Sequence, residues 1–357
     1  MTQFAFVIHP LSAKALDRKY PIARYLPENL IEALSKLKKP GILSRVTGIR
    51  SITGAETDGW FIGLPLTPRQ MTKTLPVDFV YERIVQCAEV AHREGAKIIG
   101  LGAFTSVVGD GGITIAKNSP IAVTTGNSYT VATAIEGTLK ACRMLDIDIS
   151  TSTLAVVGAT GSIGKTCARV LGAAFQHTIL VGRNLERTQL VADEIPGAEA
   201  TTDINAIARA DAVITVTSDD AAIVMPEHLK SGAVICDVSR PRDVSVRVAK
   251  ERPDVLVIEG GVVTVPGDVK FGFDFGFPAK TAYACMSETM MLALEDRAEN
   301  FTLGKEVSVA QVDETQRLAA KHGFTLSGFR SFERAVSEEA IQRARSARLL
   351  SGTVARR

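Results

Sequence analysis

Short apolar strands alternate with helix-like stretches from Thr153 onward in this chain of 357 residues. In the helix-like stretches, apolar positions recur every three to four residues. Apolar strands separated by helices predict a parallel sheet that is covered on both faces. The predicted strands are Thr153–Val157, Thr178–Val181, Ala212–Thr217, Ala233–Val238 and Val255–Ile258, with helices starting at Ser162 and spanning Glu186–Ile195.

The residues up to about Leu145 show a less regular mixture of strands and amphipathic helices. In the helix predicted over Phe79–Gly95, Cys87 lies on the apolar face and is predicted to belong to the core. The predicted strands of this part are Phe4–Ile8, Trp60–Leu64 and Ile98–Leu101.

Pro278 is suited to a helix start, so Ala279–Ala298 is predicted to be one long helix that leaves the second sheet. This helix and another near Thr130–Leu145 are expected to bridge two domains and leave a cleft between them. The expected parts are a substrate-side α/β domain (1–145), a nucleotide-binding domain (146–278), a bridging helix that returns to the first domain (279–330) and an Arg-rich tail (331–357).

A glycine-rich loop follows the strand Thr153–Val157 and runs directly into a helix. Gly158 permits a tight turn, Gly161 lets the backbone approach a pyrophosphate, and Gly164 lets helix and strand pack closely. The first amides of the helix face the phosphates. This pattern predicts a dinucleotide site in a Rossmann-type doubly wound parallel sheet, and its loop residues are Gly158, Thr160, Gly161, Ser162, Ile163 and Gly164.

The end of the second strand indicates which dinucleotide binds. An NAD-selective domain usually has a carboxylate here for the ribose 2′-hydroxyl, whereas this chain has Arg183 followed by Asn184. A guanidinium can stack on adenine and bind a 2′-phosphate, so NADPH is the predicted cofactor. An ordinary surface arginine is the alternative. Further along, Thr217 and Ser218 are expected to line the cofactor, with Gly260 and Gly261 near its nicotinamide end.

Composition narrows the classes of protein. A net charge of +2 provides no field that would favour nucleic acid, and no apolar run approaches the ~20 residues of a membrane-spanning helix. The five cysteines are odd in number and form no Cys-x-x-Cys pair, which indicates neither zinc nor disulfides and favours a cytoplasmic protein. From residue 330 to the end there are seven Arg against three Glu, interpreted as a solvated helical tail or, alternatively, a docking surface.

The cysteines differ in their sequence context. Cys142, Cys167 and Cys236 lie in predicted helices or strands and are expected to be inert core residues. Cys285 comes early in the helix that leaves the second sheet, where a thiol can face the cleft. Spacing alone favours packing, because Cys285, Thr289 and Leu292 share one helical face.

Several separate segments, in order and over most of the chain, resemble the long-chain fatty acyl-(acyl carrier protein) reductases of cyanobacteria, which form fatty aldehydes. These segments are Gly100–Ser106, Thr124–Thr130, Val157–Gly164, Gly182–Asn184, Gly260–Gly261, Tyr283–Glu288 and Lys321–Phe324, with a weaker likeness at Phe6–Ser12. The chain departs from the family where Tyr129 replaces a histidine and where Met286-Ser287 replaces Phe-Ala.

The resemblance implies a shikimate-dehydrogenase-like two-domain architecture and an acyl-accepting thiol at Cys285. The reaction would be NADPH-dependent reduction of a fatty acyl thioester, on acyl carrier protein or CoA, to an aldehyde that is either released or passed to an aldehyde-consuming partner enzyme. Asn127, Ser128 and Tyr129 lie in a segment that faces the same cleft in the family. They are therefore candidates for oxyanion donors or proton sources, and a structural turn-and-cap role is equally open.

Two other functions remain open. One is an alcohol or polyol dehydrogenase of the shikimate type, which shares this architecture but needs a Lys and Asp pair and no thiol. The other is a non-catalytic NADP-binding sensor, in which Cys285 is packing and no thioester is turned over.

Overall fold

The computed structural model describes residues 1–15, 21–219, 221–274 and 276–354. They form two compact units. Unit 1 comprises Met1–Tyr129, Val263–Glu306 and Glu314–Thr325, and unit 2 comprises Thr130–Val262, Val307–Asp313 and Leu326–Arg357. None of the helices in the described ranges is both long enough and apolar enough to cross a bilayer.

Strands and helices alternate through most of the chain. The strands are β1 (Phe4–Ile8), β2 (Gly41–Arg50), β3 (Glu56–Gly63), β4 (Ile98–Gly100), β5 (Ala122–Thr124), β6 (Thr153–Val157), β7 (His177–Val181), β8 (Ala198–Thr201), β9 (Ala212–Thr215), β10 (Val234–Asp237), β11 (Leu256–Glu259), β12 (Val262–Thr264), β13 (Gly267–Lys270), β14 (Thr281–Tyr283), β15 (Thr325–Leu326), β16 (Arg330–Ser331) and β17 (Arg334–Ala335). The helices are α1 (Glu28–Ser35), α2 (Val77–Arg93), α3 (Phe104–Val107), α4 (Ile113–Asn118), α5 (Asn127–Met144), α6 (Ser162–Gly172), α7 (Leu185–Ala192), α8 (Val246–Glu251), α9 (Ala284–Leu294), α10 (Val309–His322) and α11 (Glu338–Val354).

Unit 2 is built on a parallel sheet with the strand order β11-β10-β9-β6-β7-β8. This is the doubly wound Rossmann order, so the predicted fold class is confirmed. The last residues of the central strands lie in register, with Val157 beside both Val181 and Thr215 and with Asp237 beside both Thr215 and Glu259. The loops after these strands therefore begin at one level along the carboxyl edge of the sheet.

Unit 1 contains a mixed sheet with the order β13-β2-β3-β1-β4-β5, in which β3, β1, β4 and β5 are parallel. Ala5 and Val7 point to the face covered by α2, where the predicted core residue Cys87 is fully buried. On the opposite face, a side chain at Gly100 would collide with Thr289 of α9. Helices on both faces therefore make unit 1 the expected second α/β domain.

The helix predicted over Ala279–Ala298 is wrong at both ends. Its first residues form β14, because the carbonyl of Lys280 accepts a hydrogen bond from the amide of Val265 and keeps this stretch extended. Asp296 has a φ of 58°, and this left-handed residue follows the end of α9. The ten-residue strand β2 was missed because register shifts interrupt its pairing with β3 and its pattern of buried positions.

The Arg-rich tail is largely a helix of unit 2. In α11, Arg345 pairs with Asp146, and Arg348 donates to Asp211 over 2.8 Å. Gly232 packs against the backbone of Arg348, where a Cβ would come within 2.5 Å of its Cα. These two arginines of the tail therefore hold the helix to the protein.

Candidate functional site

The glycines of the loop after β6 differ in what a side chain would meet at each position. Gly158 has a φ of +84°, and a Cβ there would lie 2.4 Å from the carbonyl oxygen of Val216. A Cβ on Gly164 would lie 2.4 Å from the carbonyl oxygen of Gly158. Turn formation and helix packing thus account for two glycines without any ligand.

Gly161 is different because protein packing does not explain it. A Cβ there would have a single neighbour within 4 Å, the carbonyl oxygen of Gly158 at 3.3 Å, and its φ of −77° suits any residue. Thr160 and Gly161 are exposed, and Gly161, the N-cap residue of α6, has no side chain that could cap the helix. A pyrophosphate fits this surface, since the helix dipole and the first amides of α6 would bind it.

The end of β7 presents a cation beside that loop. Arg183 is exposed, and Arg187 is exposed one helical turn further on. Asn184 has a structural task, because its side chain accepts a hydrogen bond from the amide of Arg187 (2.8 Å) and caps α7. Gly182 is required by packing, since a Cβ would come 2.3 Å from Oγ1 of Thr188.

The remaining predicted cofactor residues lie at the same edge of the sheet. The hydroxyl of Thr217 donates a hydrogen bond to Asp243 (2.6 Å), and its backbone amide donates hydrogen bonds to the side chains of Ser239 and Asp243. These side chains of unit 2 therefore hold the loop in place. Ser218 is exposed. Gly260 is tightly packed, because a Cβ would lie 3.0 Å from Sγ of Cys236.

All five cysteines lie in the described ranges, and Cys285 alone among them is partly exposed. Cys142, Cys167 and Cys236 are buried, as predicted. Cys285 is the second residue of α9, a helix with Tyr283 at its N-cap. A thiol in the first turn of a helix lies near amide groups that favour its anionic form.

Two loops from the carboxyl edge of the unit 1 sheet approach Cys285 closely. Gly126 follows β5 with a φ of +74°, and a Cβ there would lie 2.3 Å from both Cα and Cβ of Cys285. Gly102 follows β4, and its Cβ position is 3.7 Å from Sγ of Cys285. The next residue, Ala103, has a φ of 48°, a conformation that costs energy in a residue other than glycine.

Glu288, one turn after the thiol, is a fully buried carboxylate that sequence reasoning missed. Its oxygens accept hydrogen bonds from the hydroxyls of Ser128 (2.6 Å) and Thr302 (2.9 Å) and from the amide of Tyr129 (3.0 Å), as well as from Thr124. These bonds join the first turns of α9 to the segment after β5. The signal was available, because Glu288 and Thr124 both lie in segments that carried the resemblance.

The predicted catalytic residues Asn127, Ser128 and Tyr129 are brought into the same unit as Cys285, and all three are buried. Ser128 and the backbone of Tyr129 bind Glu288, which supports a positioning role for these two. Their roles as oxyanion donors or proton sources stay predictions.

The surroundings of Cys285 disfavour the thiolate form of its side chain. Although the residue keeps some exposure, the desolvation of its side chain raises the pKa of Cys285 to about 12. The hydrogen bond involving Met286 at the helix start lowers this pKa, and the negative charge of Glu288 raises it. Desolvation outweighs the helix terminus here.

An aromatic pocket of about 320 Å³ lies in the part of unit 1 that precedes the thiol along the chain. The ring of Phe277 meets that of Tyr283 edge-on at 4.7 Å, and Tyr283 is two residues before Cys285. The walls are mostly apolar, with Asp274 and Lys280 as the charged members. They are formed by Val269, Phe271, Phe273, Asp274, Phe277, Pro278, Ala279, Lys280 and Thr281.

Comparisons with known proteins agree with this geometry at the level of the fold. The family described as shikimate/quinate 5-dehydrogenase matches residues 140–259, which is roughly a third of the chain. Aminotransferase PigE of Serratia sp. (strain ATCC 39006) is 30% identical over 354 residues, covering 95% of this chain but only 41% of that protein. The long-chain acyl-[acyl-carrier-protein] reductase of Synechococcus elongatus is 27% identical over 300 residues, covering 80% of this chain and 87% of that protein.

Among solved structures, the dipicolinate synthase A chain of Bacillus subtilis is 15% identical to this chain, with a TM-score of 0.35. The match covers 72% of this chain and 88% of that one. No inference about activity follows from a similarity of this size. The chain has the fold of NAD(P)-dependent oxidoreductases and is similar in sequence to an acyl-carrier-protein reductase. The family match implies a nicotinamide nucleotide as the cofactor.

Proposed function

We propose that this protein reduces a fatty acyl thioester, carried by acyl carrier protein or CoA, to a fatty aldehyde through an acyl group bound to Cys285. The observation that carries this proposal is the position of Cys285. Cys285 is a partly exposed residue in the first turn of α9, and the backbones of Gly102 and Gly126 pack against it. A polyol dehydrogenase or a nucleotide sensor has no need for such a thiol.

The proposed reaction has two stages. The sulfur of Cys285 attacks the thioester carbonyl, the new C–S bond forms, and the carrier leaves as a thiol. When bound, NADPH supplies the hydride that reduces the acyl carbon. Release of the aldehyde then restores the thiol of Cys285, so each turnover consumes one NADPH and one proton.

The raised pKa of Cys285 disfavours its thiolate, so the proposed mechanism needs an acceptor for the thiol proton. Glu288 is not suited to be the base, since its oxygens already accept hydrogen bonds from Thr124, Ser128 and Thr302. Cys285 loses its proton as the new C–S bond forms, and the departing sulfur of the substrate gains one, so the proton passes from Cys285 to the carrier thiol. Protonation of the departing sulfur completes the exchange of one thioester for another.

The aromatic pocket suits the acyl chain. Its walls are mostly apolar, and its volume of about 320 Å³ is of the order expected for a small-ligand site. Phe277 in its wall contacts Tyr283, two residues before the thiol. An acyl group on Cys285 would therefore have an apolar surface nearby on the same unit.

Arg183 is proposed to select NADPH over NADH. A charge-assisted hydrogen bond contributes roughly 1.5–3 kcal/mol, so Arg183→Ala is expected to weaken NADPH binding by about tenfold or more and to leave NADH binding nearly unchanged. Fluorescence titration with each nucleotide measures this. Arg247→Ala, at an exposed arginine of α8 in the same unit, is the matched control, and an equal loss for both nucleotides in Arg183→Ala would refute the assignment.

The function itself is tested by intact-protein mass spectrometry after mixing with acyl thioesters of several chain lengths. Without NADPH, one acyl group is expected to accumulate on the peptide that contains Tyr283 and Cys285. Addition of NADPH is expected to discharge it as aldehyde. NADPH oxidation with a polyol-derived ketone and without any thioester would instead support the dehydrogenase, and no turnover with either would support the sensor.

One relative indicates a class of reaction for the aldehyde product. The similarity to Aminotransferase PigE covers 41% of that protein, which leaves most of its length for other chemistry. An aldehyde is a suitable acceptor for an amino group. We therefore propose that an amino-group-transferring enzyme consumes the product.

A further inference from the structure

An apolar stripe on α1 has no covering partner in the described parts of the chain. Leu30, Leu34 and Leu37 are 43%, 53% and 70% exposed, although the same segment buries Ile31. Their spacing of four and three residues places them on one side of α1 and of the residues that directly follow it. We call Leu30, Leu34 and Leu37 the leucine stripe.

Positive charge borders the leucine stripe. Lys36, Lys38 and Lys39 directly follow α1, and all three are exposed. Each of the two acids of α1 has another cation as its partner. Glu28 lies 3.9 Å from Lys14, and Glu32 is buried against Arg69.

The leucine stripe and the thiol belong to the same edge of the unit 1 sheet. The segment that contains α1 leaves the carboxyl end of β1 at Ile8 and enters β2 at Gly41, which pairs with Gly63 at the carboxyl end of β3. Thr67, just after β3, donates a hydrogen bond to Glu32 and ties α1 to this edge. Gly102 and Gly126, which pack on Cys285, likewise follow the carboxyl ends of their strands.

We propose that the leucine stripe and the lysines beside it dock the acidic carrier protein that delivers the acyl thioester. This inference rests on the proposed function and names the partner and its surface. An acidic domain would be steered by the lysines and held by apolar contacts with the leucines. The helix is only about 12 Å long at 1.5 Å per residue, which suits a transient encounter better than a stable dimer or a membrane anchor.

The test compares two substrates with the same acyl chain, one on acyl carrier protein and one on pantetheine. Leu34→Glu and the double variant Lys36→Glu/Lys39→Glu are expected to weaken binding of the carrier protein, measured by fluorescence anisotropy, by about tenfold or more. They are expected to lower kcat/KM for the carrier-bound substrate by a similar factor. Turnover of acyl-pantetheine should stay within about twofold, and the charge-reversed variant should lose the salt dependence of carrier binding.

The matched controls are Leu190→Glu and Lys250→Glu, two exposed residues of unit 2 that should change neither value. Unchanged carrier binding in the α1 variants would overturn the proposal, as would an equal loss with acyl-pantetheine. If the α1 variants bind the carrier normally but change the molecular mass measured by light scattering, the surface belongs to a second copy of the chain. If they bind the carrier normally but no longer sediment with phosphatidylglycerol vesicles, the surface belongs to lipid. If the wild type reduces neither thioester, the proposed function fails, while the anisotropy measurement still decides the docking surface.

Discussion

Replacing Cys285 with serine is expected to reduce aldehyde formation by about three orders of magnitude or more. A serine hydroxyl ionises far less readily than a thiol, so it needs a strong general base. Glu288 is the nearest carboxylate along the helix, but hydrogen bonds from Ser128, Thr302 and the amide of Tyr129 occupy it. The assay is gas-chromatographic detection of aldehyde together with NADPH oxidation.

The Cys285→Ser variant is expected to bind NADPH normally, because the glycine loop of unit 2 is unchanged. Cys87→Ser is the matched control, since it makes the same replacement in the core of unit 1. The Cys87→Ser replacement is expected to lower the stability of the protein, and the molecules that remain folded are expected to retain turnover. Near-normal turnover by Cys285→Ser, or an acyl adduct on any other cysteine, would contradict the mechanism and favour the dehydrogenase.

Gly161→Val is expected to remove measurable NADPH binding, and with it all turnover, while the fold is retained. The backbone at Gly161 is extended, with φ −77° and ψ 159°, a conformation that valine adopts readily. The closest protein atom to a Cβ is the carbonyl oxygen of Gly158 at 3.3 Å, so a small shift accommodates the side chain. The space that the valine would occupy is then the space of the pyrophosphate.

Nucleotide titration measures the loss, and circular dichroism with a thermal melt shows whether the fold persists. Gly164→Val is the contrasting variant, because its Cβ would lie 2.4 Å from the carbonyl oxygen of Gly158 and should destabilise unit 2 itself. If Gly161→Val binds NADPH with normal affinity, the loop after β6 is structural and the nucleotide binds elsewhere.

Much of unit 2 could be predicted because its signals are local in sequence. The prediction for Thr153–Val157 matches β6, and the helix predicted from Ser162 matches the start of α6. Continuous apolar runs specify buried parallel strands, and glycine spacing specifies the loop, without reference to distant residues. The burial of Cys87 likewise followed from helical spacing alone.

The surroundings of Cys285 could not be predicted in the same way, because distant segments create them. Glu288 meets Ser128 across 160 positions of the chain and Thr124 across 164. No periodicity within α9 indicates that its carboxylate is buried and satisfied. The extended start at Thr281 also depends on a remote partner, since Lys280 binds the amide of Val265.

The sequence by itself predicted the Rossmann sheet and the phosphate loop, because each of these depends on side chains that are neighbours in the chain. The candidate thiol came from the resemblance, since spacing alone favoured packing for Cys285. Only the tertiary structure decided that Gly126 must be a glycine to admit Cys285, that Glu288 anchors the thiol's helix, and that Leu34 stays exposed at the same edge. These properties depend on which segments meet in space. Burial, a raised thiol pKa and close backbone approach exist only after the strands have brought those segments together.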